Sequence, residues 1–139
     1  MKIREIMTSN VECIAPSLPI AKAAEKMRDM DIGFLPVCEN DKIVGTVTDR
    51  DITIRSVAQG RDPRLAPVSE VMTQTVFHCY DDEDVEAIAR SMQDSEIRRM
   101  LILDRSENLV GVVSLGDIAK ASGEQTIAGE TLGQIADAA

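Results

Sequence analysis

The sequence predicts an α/β protein of the α+β kind, one β-α-β-β-α unit used twice, the copies packed face to face with pseudo-twofold symmetry. Three observations carry this. The opening "IREIMTSNV" (residues 3–11) returns as "VSEVMTQTV" (residues 68–76). Apolar residues at helical spacing follow each opening, and each copy ends in two short apolar runs that close on "GTVTDRD" or "GVVSLGD". Glu5 aligns with Glu70, Thr8 with Thr73, Met27 with Met92 and Ile32 with Ile97. After one extra residue in the second copy, Gly45 aligns with Gly111 and Asp51 with Asp117.

Each element follows from local chemistry. A short extended segment is expected at residues 11–14 and 76–80. The next helix has Ile20, Ala23, Ala24 and Met27 at i, i+3, i+4 and i+7, and Val85, Ile88, Ala89 and Met92 repeat the stripe. Ser17 ahead of Pro19 marks the first helix start, and Asp82–Glu83–Asp84 supplies an acidic first turn to the second. "FLPVC" and "IVGTVT" read as strands around the turn 39–42, and "RMLIL" and "LVGVVS" around 104–108. A second helix opens at the motif and stops near Gly60 or Gly123. Met27, Met30, Met92 and Met100 read as core filling. The expected division is repeat 1 at 1–60, a linker at 61–67, repeat 2 at 68–123, and a C-terminal tail or short helix at 124–139.

With 139 residues, 44% of them hydrophobic, the chain can bury a core. No apolar run reaches the roughly 18 residues of a membrane span, and "MKIREIMTSN" is too polar for a signal peptide. The expected location is the cytoplasm, with no membrane partner. A net charge of −9, with no Trp, one Tyr and two Phe, argues against nucleic acid, which needs a basic footprint or stacking platforms. No nucleophile-base order or phosphate-binding glycine loop is visible, so the chain is read as no enzyme. His78 beside Cys79 has too few companions for a metal site, so no metal is expected.

The motif Gly45-x-x-Thr48-x-x-Asp51 and its copy Gly111-x-x-Ser114-x-x-Asp117 sit where strand becomes helix. A glycine there lets a flat ligand or another backbone come close. A hydroxyl at the N-cap and an acid three residues on converge at the helix start, where free N–H groups favour phosphate. A carboxylate also suits two sugar hydroxyls. The same pair is a helix capping box, although Glu or Gln normally takes the acidic place and a cap needs no upstream glycine. Nucleotide clamp and helix cap both remain open on these residues.

The two openings, "IGFLPV" before the first hairpin, and the two closing motifs together resemble a tandem pair of CBS domains, a Bateman module, over residues 1–123. The resemblance implies a non-catalytic regulatory module, dimeric as a flat disk, binding AMP, ADP, ATP or a related adenosyl ligand in clefts between the repeats. It implies a homodimer that reports to a separate, unknown regulated protein, with the nucleotide as regulatory ligand and no cofactor required. It assigns ribose and phosphate to Thr48, Asp51, Ser114 and Asp117. It sets Glu12, Ile32 and Thr46, and Phe77, Ile97 and Val112, around adenine. "EIRRMLILD" is similar to the basic stretch of nucleotide-sensing kinase subunits, which turns Arg98 and Arg99 towards the phosphates. The first copy has Gly33–Phe34 there instead. Arg50 is open to a phosphate or to filling the first cleft, and Phe77 to stacking on a base or plugging the pocket.

A function of another class rests on the thiols. Cys13 and Cys38 lie on segments that a β-α-β crossover can make parallel neighbours. A disulfide needs Cα atoms within about 7 Å; two reduced thiols are the ordinary state in a cytoplasmic protein. The alternative reading is a redox- or stress-responsive CBS pair that uses Cys13–Cys38 without nucleotide.

Overall fold

The computed structural model describes residues 1–121, so the expected helix stop near Gly123 and the tail at 124–139 lie outside the described residues. The chain forms two compact units, one of residues 12–76 and one joining Met1–Val11 to the chain from Phe77 onward. The opening segment of each sequence copy therefore belongs to the unit built by the other copy.

In the first unit the stripe Ile20, Ala23 and Met27 buries one face of α1 (Ile20–Met30). Ala24 is exposed, and so is Met30 at 44%: it ends the helix at the margin of the stripe, and is not core filling. No side chain caps α1. Its first N–H groups are instead satisfied by the segment after Gly60, Ile20 donating to the Ala66 carbonyl at 3.0 Å and Ala21 to that of Pro63 at 2.8 Å. β1 (Phe34–Glu39) and β2 (Lys42–Thr48) form an antiparallel hairpin in which Glu39 faces Lys42. The two-residue turn puts Asn40 at φ 51° and Asp41 at φ 63°, the pairing of left-handed residues that matches the strand twist. α2 (Asp49–Ile52) runs into a π-helical turn, Thr53–Val57.

The second unit repeats the plan. β3 (His78–Tyr80) pairs parallel with β4 (Arg99–Leu103), which pairs antiparallel with β5 (Leu109–Ser114). α3 (Val85–Ser95) buries Ile88 and Met92, and α4 (Leu115–Ala121) buries Ile118. Asp82, Glu83 and Asp84 precede α3 and do not form its first turn. Asp82 pairs with Arg105 at 2.8 Å, Glu83 accepts the Tyr80 N–H at 2.6 Å, and Asp84 pairs with Lys2 at 3.3 Å. The β4–β5 turn is held by Asp104, whose carboxylate accepts the N–H groups of Asn108 and Ser106. Those bonds, the one from Asn108 foremost, hold its carboxyl below the ordinary range.

Residues 11–14 form no strand. Ile14 alone makes a parallel bridge to Val37. The reason is visible against the second unit, where Leu101 donates to the Phe77 carbonyl and Asp81 to that of Leu103. The matching donors in the first unit are Pro36 and Pro16, which have no N–H to give.

The glycines admit backbone. A Cβ on Gly45 would lie 2.8 Å from the Thr73 carbonyl oxygen, and one on Gly111 would lie 2.6 Å from the Met7 sulfur and 2.9 Å from the Thr8 carbonyl oxygen. Thr46 and Thr73 exchange both backbone bonds across this contact at 2.9 and 2.8 Å, as do Val112 and Thr8 at 3.0 and 2.9 Å. The docked segments bring Val68 and Val71 into one core and Ile3 into the other.

Gly45→Ala and Gly111→Ala should each cost about 1–3 kcal/mol, the range of overpacking against atoms that cannot move aside; unchanged urea midpoints would contradict the close approach. Both helices α1 and α3 end on a left-handed non-glycine residue, Asp31 at φ 54° and Glu96 at φ 53°, with Ile32 and Ile97 bonded back to Met27 and Met92. Glu96→Gly should therefore stabilise by roughly 0.5–1 kcal/mol, the left-handed cost relieved less the added chain entropy, and a lowered urea midpoint would count against it.

Candidate functional site

Each closing motif folds as a capping box. The Thr48 N–H donates to Asp51 Oδ2 at 3.0 Å and the Asp51 N–H to Thr48 Oγ1 at 3.1 Å. Ser114 and Asp117 repeat this at 2.9 and 3.0 Å. Aspartate is long enough for the reach-back, and the upstream glycine serves the docked segment, so both features have a structural use. The boxes also take up donors expected to await a phosphate. At α2 the N–H groups of Thr48, Asp49, Arg50 and Asp51 all have partners: Asp51, the Gly33 carbonyl, the Asp49 carboxylate and Thr48. At α4 those of Ser114, Leu115 and Asp117 are taken by Asp117, the Arg98 carbonyl and Ser114. The helix starts hold themselves rather than standing as open anion sites.

The two repeats differ in what surrounds the box. In the first, Asp51 is drawn into a local network. Its other oxygen meets the Thr73 hydroxyl at 3.5 Å and lies 3.9 Å from Arg55, and its side chain is 14% exposed. Arg55 also donates to the carbonyls of Val71 and Met72, each at 3.1 Å, closing the end of the docked segment. Neither Arg55 nor Thr73 was singled out in the sequence. The i,i+4 spacing of Asp51 and Arg55 was the available signal. Asp49 packs its carboxylate against Gly33, where an added Cβ would sit 2.8 Å from Oδ2. The Arg50 guanidinium is exposed and has no ion-pair partner among the described residues.

Of the residues expected around adenine in the first repeat, Ile32 is 39% exposed just beyond α1, and Glu12 is exposed and paired with Lys26 at 2.6 Å. Thr46 has both backbone groups committed to Thr73 and offers only its side chain. In the second repeat Phe77 is 43% exposed, Ile97 packs against the core, and Val112 has both backbone groups committed to Thr8. Arg99 stands opposite Ser114 in the β4–β5 register. The bond from the Leu115 N–H to the Arg98 carbonyl, at 2.8 Å, brings both arginine positions to the start of α4. Arg98 and Leu115 thus replace the Gly33 and Asp49 of the first repeat: a cation takes the place of the glycine, and an apolar residue that of the anion.

Cys13 and Cys38 are joined as a disulfide with Cα atoms 5.8 Å apart. Cys79 is free and buried, and burial, with Glu83 nearby, pushes its thiol up to about 12. No group of three metal-ligating side chains occurs among the described residues, and no helix there is long and apolar enough to cross a membrane.

The family model for the CBS domain matches residues 3–57 and again 68–124. The chain is 38% identical over 133 residues to the CBS domain-containing protein YhcV of Bacillus subtilis, covering 96% of this chain and 94% of that one. It is 33% identical over 125 residues to Hypoxic response protein 1 of Mycobacterium tuberculosis, covering 89% and 87%. A solved CBS domain pair of protein MJ0100, in complex with 5-methylthioadenosine and S-adenosyl-L-methionine, has a TM-score of 0.78 at 25% identity, over 91% of this chain and 98% of that one. Two matched CBS domains, over a mixed helix-and-strand fold that repeats from one unit to the next, place this chain in the CBS-domain family.

Proposed function

We propose that this chain is a non-catalytic regulatory module of the cytoplasm that works as a homodimer, binds an adenine nucleotide and passes its occupancy to a separate protein. The observation that carries the reading is the backbone bond between Leu115 and Arg98, which gathers two arginines beside the Ser114–Asp117 box. With the N–H groups of that box largely engaged, phosphate charge falls to Arg98 and Arg99, whose guanidinium groups suit it bidentately. Asp117 takes the ribose hydroxyls, and Phe77, Ile97 and Val112 flank the base.

The first repeat takes a different member of the same ligand class. Thr48 and Asp51 hold the ribose, with Glu12, Ile32 and Thr46 around adenine and Arg50 at the rim. The Asp49 carboxylate beside Gly33 repels a phosphate there, so an adenosyl group without phosphate is the better fit. The likeness to the MJ0100 pair, itself bound to two adenosyl ligands of that kind, supports this class.

The test is calorimetric titration with AMP, ADP, ATP and S-adenosyl-L-methionine, alongside thermal unfolding. At 100 times its Kd a ligand should add about 2.7 kcal/mol to stability. Arg98→Ala should weaken AMP by about 10- to 150-fold, the loss of a charged hydrogen bond, leaving S-adenosyl-L-methionine and the ligand-free Tm unchanged because Arg98 is exposed. Absence of binding by all four compounds would end the reading.

A further inference from the structure

The first repeat lacks the ladder that secures its counterpart, and the gap is where the two cysteines meet. The second repeat ties its strand on both sides of Cys79, Leu101 donating to the Phe77 carbonyl at 3.2 Å and Asp81 to that of Leu103 at 2.9 Å. In the first repeat Pro36 and Pro16 stand at those donor positions. Only the Ile14 N–H to the Pro36 carbonyl, at 3.0 Å, and the Cys38 N–H to the Ile14 carbonyl, at 2.9 Å, remain. The Cys13–Cys38 cross-link lies beside those two bonds, and closes a sequence separation of 25 residues that contains all of α1. Cys13 is exposed and Cys38 half-buried at the end of β1, so dissolved reagents can reach the pair.

We propose that Cys13 and Cys38 form a thiol–disulfide exchange site whose oxidised state locks residues 12–14 onto β1 and whose reduced state releases them. The oxidant is a small disulfide of the glutathione class. The Cys13 thiolate attacks one of its sulfurs, forming a mixed disulfide and expelling one small thiolate. The Cys38 thiolate then attacks the Cys13 sulfur, closing the protein disulfide and expelling the second. Two protein thiols are oxidised and one small disulfide is reduced, the two protons shed by Cys13 and Cys38 ending, through the solvent, on the two expelled thiolates, which become small thiols. Excess small thiol runs the same steps backwards. Cys79 takes no part, being buried in the second core. Glu12 adjoins the lock, so the thiol state also sets where that carboxylate stands. This consequence for the ligand face rests on the nucleotide reading, whereas the lock itself does not.

The test uses the full chain equilibrated with oxidised glutathione or with dithiothreitol. Alkylation followed by mass measurement under native and then denaturing conditions counts thiols, and residue-resolved hydrogen exchange reports the Ile14 and Cys38 amides. Three thiols are expected in the reduced protein and one, Cys79, in the oxidised. Exchange at Ile14 and Cys38 should be at least about tenfold faster in the reduced protein, by local opening. Cys13→Ser should show the fast rates under both conditions. Three alkylatable thiols after glutathione treatment, or equal exchange rates in the two states, would overturn the proposal.

Discussion

Two strands must accept another backbone at van der Waals distance, and only glycine lets them. At Gly45 and Gly111 the incoming segments, 68–73 and 3–8, lie so near that a single methyl group would touch a carbonyl oxygen. The exchanged bonds at Thr46–Thr73 and Val112–Thr8 depend on that approach, and so does the burial of Val68, Val71 and Ile3 in the two cores. The chain just ahead of each segment satisfies helix ends that the sequence leaves without side-chain caps. The Ala66 and Pro63 carbonyls serve α1, and the Met1 carbonyl accepts the Val85 N–H of α3 at 3.0 Å. One close contact per repeat thus supports hairpin, helix start and core together.

This arrangement limits what is left for a ligand. The hydroxyl and carboxylate of each closing motif are already engaged with the backbone, and the donors at each helix start are largely used. On the reading proposed above, recognition falls to side chains beside each box, and there the repeats differ: Gly33 and Asp49 in the first stand where the second has Arg98 and Leu115.

Much of the architecture was legible from periodicity alone. The stripes of α1 and α3, both hairpins and the Thr48 and Ser114 caps stand where residue spacing and turn chemistry put them. Met30 and Ala24 show where spacing fails, since a stripe has margins that only the packing partner defines. The close approach at Gly45 was open to ligand or backbone until the partner segment was seen, because Thr73 is far along the chain. Pro36 and Pro16 were plain in the sequence, but their effect needed the register of Ile14 against Val37. The Arg55–Thr73–Asp51 network went unread for the same reason: one member was at helical spacing, the other on the docked segment.

Each closing motif, as a capping box, stabilises its repeat without any ligand. The most direct measurement is a double-mutant cycle in ligand-free protein, with Ser114→Ala, Asp117→Ala and the pair unfolded in urea. Each single change should cost about 0.5–2 kcal/mol, as lost caps do, and the pair should cost clearly less than the sum because the two side chains serve one box. Unchanged midpoints in both single variants would contradict it, and would mean that the serine and aspartate are there for the nucleotide alone.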